Sequence, residues 1–367
     1  MKNKTIYFSV PTKCVSSLFF HPSKNKILVS SKTGGLLMYQ IGSENRPFSF
    51  TAPNFSPIRG FITPDGNKII GASFEGKVAL WENHNEKPLV VQQGHSSSIN
   101  DLDMLIHRGH FMTAGNDKVV KLWDPNLKFL SSFTDHNCQV TSCAFDQTSK
   151  VAISGDASGT VLLWDYTRPE DGKVWDFHLH KTKRYPITSI DVDSTGRYFS
   201  VLSAREHLGV FDLRNPEHVV AQPFKAKACM AKLHPLKEYL LCTGSNNSEM
   251  IFNIENNSLL FSFEGHNKPV SCCAWSNDGK KFATADDDGT VIIWNLPKPP
   301  KLPKYCPQEE ATFTIQSKMP SINTTLSLEV LNEELSILTE HVNELNEKLK
   351  EEESRINQLV LEYRWRM

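Results

Sequence analysis

The stretch Gly265–Asn295, GHNKPVSCCAWSNDGKKFATADDDGTVIIWN, sets three short β-prone runs between polar turns. Val270 to Trp275 forms the first run, Asn277-Asp278-Gly279 turns, and Lys281 to Ala285 resumes. Asp286 to Gly289 turns again and Val291 to Trp294 closes. Runs of this length divided by Gly/Asp turns read as antiparallel strands. Working outward, the closing aromatic recurs at Tyr39, Trp81, Trp123, Trp164, Phe211, Phe252 and Trp294, at intervals of 42, 42, 41, 47, 41 and 42 residues. A fixed period of this size marks a repeat architecture in which each copy contributes one small sheet. A Gly-His pair precedes the first run at Gly94-His95 and Gly265-His266, with Asp135-His136 as a degenerate version.

Gly-His followed at this period by Trp-Asp (Trp123-Asp124, Trp164-Asp165) resembles the WD40 repeat. The resemblance covers residues 1–296 and implies an all-β fold, a seven-bladed propeller of four-stranded sheets. It also implies a hydrogen-bonded structural tetrad of His, Ser/Thr, Asp and Trp in each intact blade. Two copies match throughout: His95, Thr113, Asp117, Trp123 and His266, Thr284, Asp288, Trp294. Copy four keeps His136, Ser154 and Trp164 with Ser158 at the Asp position, where copies one, two, five and six carry Thr33, Glu75, Arg205 and Asn246. A His-Asp-Thr grouping could be read as a catalytic triad. Its recurrence around a ring argues for structure, because catalysis needs one convergent site. After Trp294 the chain meets Pro297, Pro299 and Pro300, which cannot build an interior fourth strand. Residues 4–10 are expected to supply it and latch the ring.

The 367 residues carry 40 Lys+Arg against 41 Asp+Glu, a net charge of −1 that excludes a generally basic nucleic-acid binder. No apolar run is long enough to span a membrane, and the first residues lack the apolar core of a secretory signal. The eight cysteines form no C-x-x-C and no zinc spacing, which reads as reduced core thiols in the cytoplasm. G-x-x-x-x-G-K-[ST] and G-x-S-x-G are absent, so no enzyme, catalytic residue, metal or cofactor is expected.

Residues 297–325 open with PKPPKLPKYCP, a stiff Pro/Lys-rich linker. Over 326–363, Leu328, Leu331, Leu335, Leu338, Val342, Leu345, Leu349, Ile356 and Leu359 follow steps of three and four, the a/d seam of a coiled coil. Such a stripe calls for self-association or a partner helix. Within Leu328–Lys350 the residues Leu328, Glu329, Leu335, Leu338, Thr339, Val342, Leu345, Lys348 and Leu349 fit the C-terminal box of the Poc ("proteome of centriole") WD-repeat family, which this chain resembles. That resemblance implies a structural scaffold of centrioles or basal bodies in the cytoskeleton. Its expected partners are the tubulin wall of microtubules and centriolar or axonemal proteins. The alternatives are a generic WD40 adaptor, such as a ubiquitin-ligase substrate receptor, or an actin-binding protein resembling coronin. The long interval in copy five inserts Lys181, Lys183 and Arg184, which propeller topology would group with Arg205, Lys225 and Lys227 as a basic patch for an acidic partner surface.

Overall fold

The computed structural model describes residues 6–297 except 12, 44, 107, 169–171, 179–184, 205–206, 222–227 and 245–246. These residues form seven four-stranded antiparallel sheets, six of them from strands consecutive in the chain. In the seventh, Val270–Trp275, Lys281–Asp286 and Thr290–Asn295 are joined on the outside by Ile6–Ser9. Ile6 pairs with Ile293 and Phe8 with Val291, and Val10 N donates to Gly289 O at 2.8 Å. The inner strands touch one another in cyclic order, the last meeting the first. This closes a β-propeller.

Burial follows position within each blade. Second strands such as Lys281–Asp286 and Val151–Asp156 are buried on both faces because a neighbouring blade covers each side. Outer strands such as Lys173–His178 and Leu259–Glu264 cover the rim and alternate between half-buried and exposed. Trp81, Trp123, Trp164 and Trp294 fill the space between sheets.

A register shift recurs near the start of all seven inner strands, skipping Ser16, Ile58, Asn100, Thr141, Thr188, Cys229 and Ser271. A bulge adds local twist. Here it also frees a side chain for the next blade: Asn100 Nδ2 donates to Val140 O at 2.7 Å and Ser271 Oγ to Val15 O at 2.9 Å. Blades also interlock through turns. Gly279 (φ 62°) rests on His234 of blade six, whose Nε2 donates to Gly279 O at 3.0 Å. A Cβ at Gly279 would come within 2.2 Å of the imidazole, so only glycine fits.

Candidate functional site

The tetrads decide what the His and Asp residues are free to do. In blade three, Asp117 Oδ1 lies 2.8 Å from His95 Nδ1, and His95 Nε2 lies 2.7 Å from Thr113 Oγ1. Trp123 Nε1 donates to the same hydroxyl at 2.9 Å. A carboxylate can only accept, so His95 Nδ1 carries the proton and Nε2 accepts from Thr113. Burial holds the His95 pKa below its ordinary value, leaving a neutral ring. Each polar atom is spent inside the blade, and none is presented to a substrate.

Blade seven corrects the sequence assignment. His266 Nδ1 meets Asp286 Oδ2 at 3.0 Å, and Asp288 is not its partner. Asp286 is buried and accepts from the backbone N–H groups of Asp288 and Thr290 at 3.1 and 2.8 Å. Blade four does the same: His136 Nδ1 meets Asp156 Oδ2 at 3.1 Å, so the Ser158 position does not leave this tetrad without its acid. The cause is the residue two past the Ser/Thr. Blades four and seven have an Asp there, whereas blade three has Gly115, whose missing side chain admits Asp117 from two residues further on. A Cβ at Gly115 would come within 2.3 Å of His95 Nδ1 and 2.4 Å of Asp117 Oδ1. The turn of blade seven is also less acidic at its surface than its three aspartates suggest, because Asp286 is committed inward.

The degenerate blades follow the same chemistry. Blades five and six have Phe211 and Phe252, whose side chains carry no N–H, with Val201 and Cys242 at the hydroxyl position. Blade two keeps Trp81 but has Gly71 there, and its indole N–H donates to Thr51 O at 3.4 Å.

The second polar constellation lies on the axis, and the sequence reading missed it. The third residues of the inner strands include Arg59 and Asp101, and the fifth include Asp103, Asp191 and Lys232. Arg59 Nη1 meets Asp101 Oδ1 at 2.6 Å, and Lys232 Nζ pairs with Asp191. The carboxylates also bridge blades. Asp101 Oδ2 accepts from Ser142 Oγ at 2.7 Å and Cys143 N at 3.1 Å, Asp103 Oδ2 from Phe145 N at 2.7 Å, and Asp191 Oδ2 from Leu233 N at 2.7 Å. Burial pushes the Asp103 carboxyl up to about 7 and raises that of Asp191.

Arg59, Asp103, Asp191 and Lys232 line a cavity of about 220 Å³ with Phe19, Phe61, Met230 and Trp275. Its other walls come from the later halves of the inner strands and the turns after them, such as Gln147, Ser194 and Asn277. It therefore opens on the face opposite the tetrad histidines, which precede those strands. The signal that could have found it is an alignment of the inner strands by position. Singly, each charge looks like one polar residue in an alternating strand.

The basic-patch residues Lys181, Lys183, Arg184, Arg205, Lys225 and Lys227 lie outside the described residues. So do the linker beyond residue 297 and the coiled-coil seam from Leu328 to Leu359.

The fold and the repeated tetrad define a WD40-type β-propeller. The family "WD domain, G-beta repeat" matches residues 86–124, 127–165 and 257–295, the spans that end in the three tetrad-bearing blades. Those three blades thus carry a recognisable WD40 repeat. The chain is 25% identical over 77% of its length to a periodic tryptophan protein 2 homolog of Dictyostelium discoideum, of which it spans 31%. It is 24% identical over 63% of its length to a serine-threonine kinase receptor-associated protein of the same organism, of which it spans 91%. Against autophagy-related protein 16 of Arabidopsis thaliana the figures are 22% identity, 64% of this chain and 46% of the relative. The chain thus spans less than half of the first and third of these relatives.

Proposed function

We propose that this chain is a non-enzymatic propeller scaffold that holds protein partners on its faces. The observation that carries the reading is the fate of its His and Asp residues. The groups that could have made a catalytic triad recur in three blades and are consumed there by Trp, Thr or Ser and backbone N–H groups. WD40 propellers typically act without catalysis. The relatives carry names from unrelated settings, as expected where a rigid scaffold is reused with different partners. The test is affinity capture of the tagged full-length chain from cells. A reproducible set of stoichiometric protein partners is expected, and a chain that returns alone under mild conditions would end the reading.

A second, more specific reading is that the scaffold serves centrioles or basal bodies, contacting the microtubule wall. It rests on the heptad box Leu328–Lys350 and on the basic residues gathered in copies five and six. Here the captured partners should include tubulin and centriolar proteins, whereas ligase subunits would favour a substrate receptor. Charge reversal at Lys183, Arg184 and Lys227 should weaken co-sedimentation with microtubules and flatten its salt dependence. Unchanged sedimentation counts against the tubulin contact.

A further inference from the structure

We propose that the axial cavity on the face of the inner-strand ends takes a lysine or arginine side chain from an extended partner segment, with Asp103 as its acceptor. This deepens the scaffold reading and rests on it. Charge balance supplies the first argument. Of the three axial carboxylates, Asp101 is paired with Arg59 and Asp191 with Lys232. Asp103 accepts one backbone N–H, from Phe145, and has no ion pair among the described residues. It is half-buried and lines the cavity, so it is the one axial carboxylate with capacity for an incoming cation. A cation beside it would be held in a poorly solvated site, where the pairing is stronger than on an open surface.

Size and walls supply the second argument. At about 220 Å³ the cavity is smaller than the ~300 Å³ at which sites for whole small molecules begin, and fits one side chain better than a cofactor. Phe19 and Phe61 stand edge to face at 4.7 Å, and Trp275 also lines the cavity. Aromatic faces favour a cation and the apolar stem that carries it. Beside the mouth, Ile106 of blade three and Leu236 of blade six are exposed to 51% and 67%, apolar ground on two sides for the segment flanking the inserted residue.

The test uses the full-length chain on an array of immobilised twelve-residue peptides, each with Arg, Lys, Gln or Glu at its centre. The wild-type chain should retain Arg- and Lys-centred peptides over their Gln and Glu counterparts. Asp103→Asn keeps an acceptor for Phe145 N and should lose that preference by at least tenfold. Asp287→Asn, on the tetrad face, should leave it intact. Lys232→Met supplies a sign that misfolding cannot mimic: it frees Asp191, so cationic peptides should be held more tightly even if the chain melts earlier. Equal retention by wild type and Asp103→Asn, a preference for neutral or acidic centres, or weaker binding by a folded Lys232→Met would each overturn the proposal. Partners captured from cells by Asp103→Asn as well as by wild type would leave the scaffold reading standing and remove the cavity from it.

Discussion

Blades three and seven build the same device by different routes. Both run Trp N–H to Thr hydroxyl to His to Asp, with distances that agree to about a tenth or two of an ångström. Yet blade three draws its carboxylate from Asp117 past an empty Gly115, and blade seven draws it from Asp286. Blade seven also takes its outer strand from the opposite end of the chain. The repeat therefore conserves a hydrogen-bonding requirement, a buried imidazole N–H that needs an acceptor, and leaves open which residue meets it.

The largest difference between the two blades is that outer strand. Removing residues 1–10 strips blade seven of the Ile6–Ser9 ladder and of Phe8, whose ring lies 4.5 Å from that of Tyr39 in blade one. Blade three keeps all its strands. The expected loss is about 4 kcal/mol, from lost apolar burial and an unpaired edge, read as a lower midpoint in urea. An unchanged midpoint would mean that the ring closes without its latch.

Next in size is the acceptor itself. Asp286→Ala leaves His266 Nδ1 and two backbone N–H groups without their buried acceptor, which should cost about 3 kcal/mol. Asp288→Ala should stay within ~0.5 kcal/mol, since Asp288 is half exposed and its one ion pair among the described residues, with Lys13, is long at 3.9 Å. In blade three the ranking by position reverses, and Asp117→Ala is the costly change. Equal effects at 286 and 288 would contradict the assignment.

A third contrast lies against blade seven rather than within it. Glu249 of blade six is wholly buried at a position where the other blades carry Leu36, Val78, Val120, Val161, Leu208 and Val291. Its Oε1 is 3.4 Å from His266 Nε2. Burial pushes its carboxyl up to about 8 from an ordinary 4.5. The folded chain thus binds this proton more tightly than the unfolded one. The contribution is fully present below pH 4.5 and is lost as pH rises through 8. Glu249→Leu should raise stability by about 2 kcal/mol at pH 8 and less at pH 5, with the gap read from urea midpoints at the two values. A variant equally stable or weaker at pH 8 would indicate that the carboxyl is better satisfied than its geometry shows.

These contrasts also separate what the sequence reveals from what it hides. The seven aromatic positions and the turns between runs are local signals, so blade number and strand order can be read directly. The proline break after Trp294 points to a strand from elsewhere, because it shows a missing partner. The carboxylate of blade seven is hidden, since Asp286 and Asp288 are both aspartates and only the space around His266 chooses between them. The axial group is hidden for another reason. Arg59, Asp101, Asp103, Asp191 and Lys232 come from four strands and meet only where the ring closes. Glu249 shows as a polar intruder only when the third strands are aligned on their aromatics.

The sharpest break of the comparison is to turn blade three into blade seven. Gly115→Asp alone places a second carboxylate where the Cβ already crowds His95 and Asp117, and should destabilise by about 2 kcal/mol through overpacking and like charge. Adding Asp117→Ser reproduces the natural pair of blade four, Asp156 and Ser158, in which Ser158 Oγ lies 2.7 Å from Asp156 Oδ1. If the two routes are equivalent solutions to one requirement, the double variant should return to within ~1 kcal/mol of wild type. The coupling between the two changes should then be favourable and large for residues in contact. Additive losses would show instead that the backbone of the blade three turn, where Lys118 takes φ 69°, is shaped for Asp117 and cannot present an acid from position 115. Blades four and seven carry positive φ at the equivalent position of the turn, at Gly159 and Gly289, so the three turns share this feature and the swap tests the rest of the turn against the side chain as what selects the acceptor.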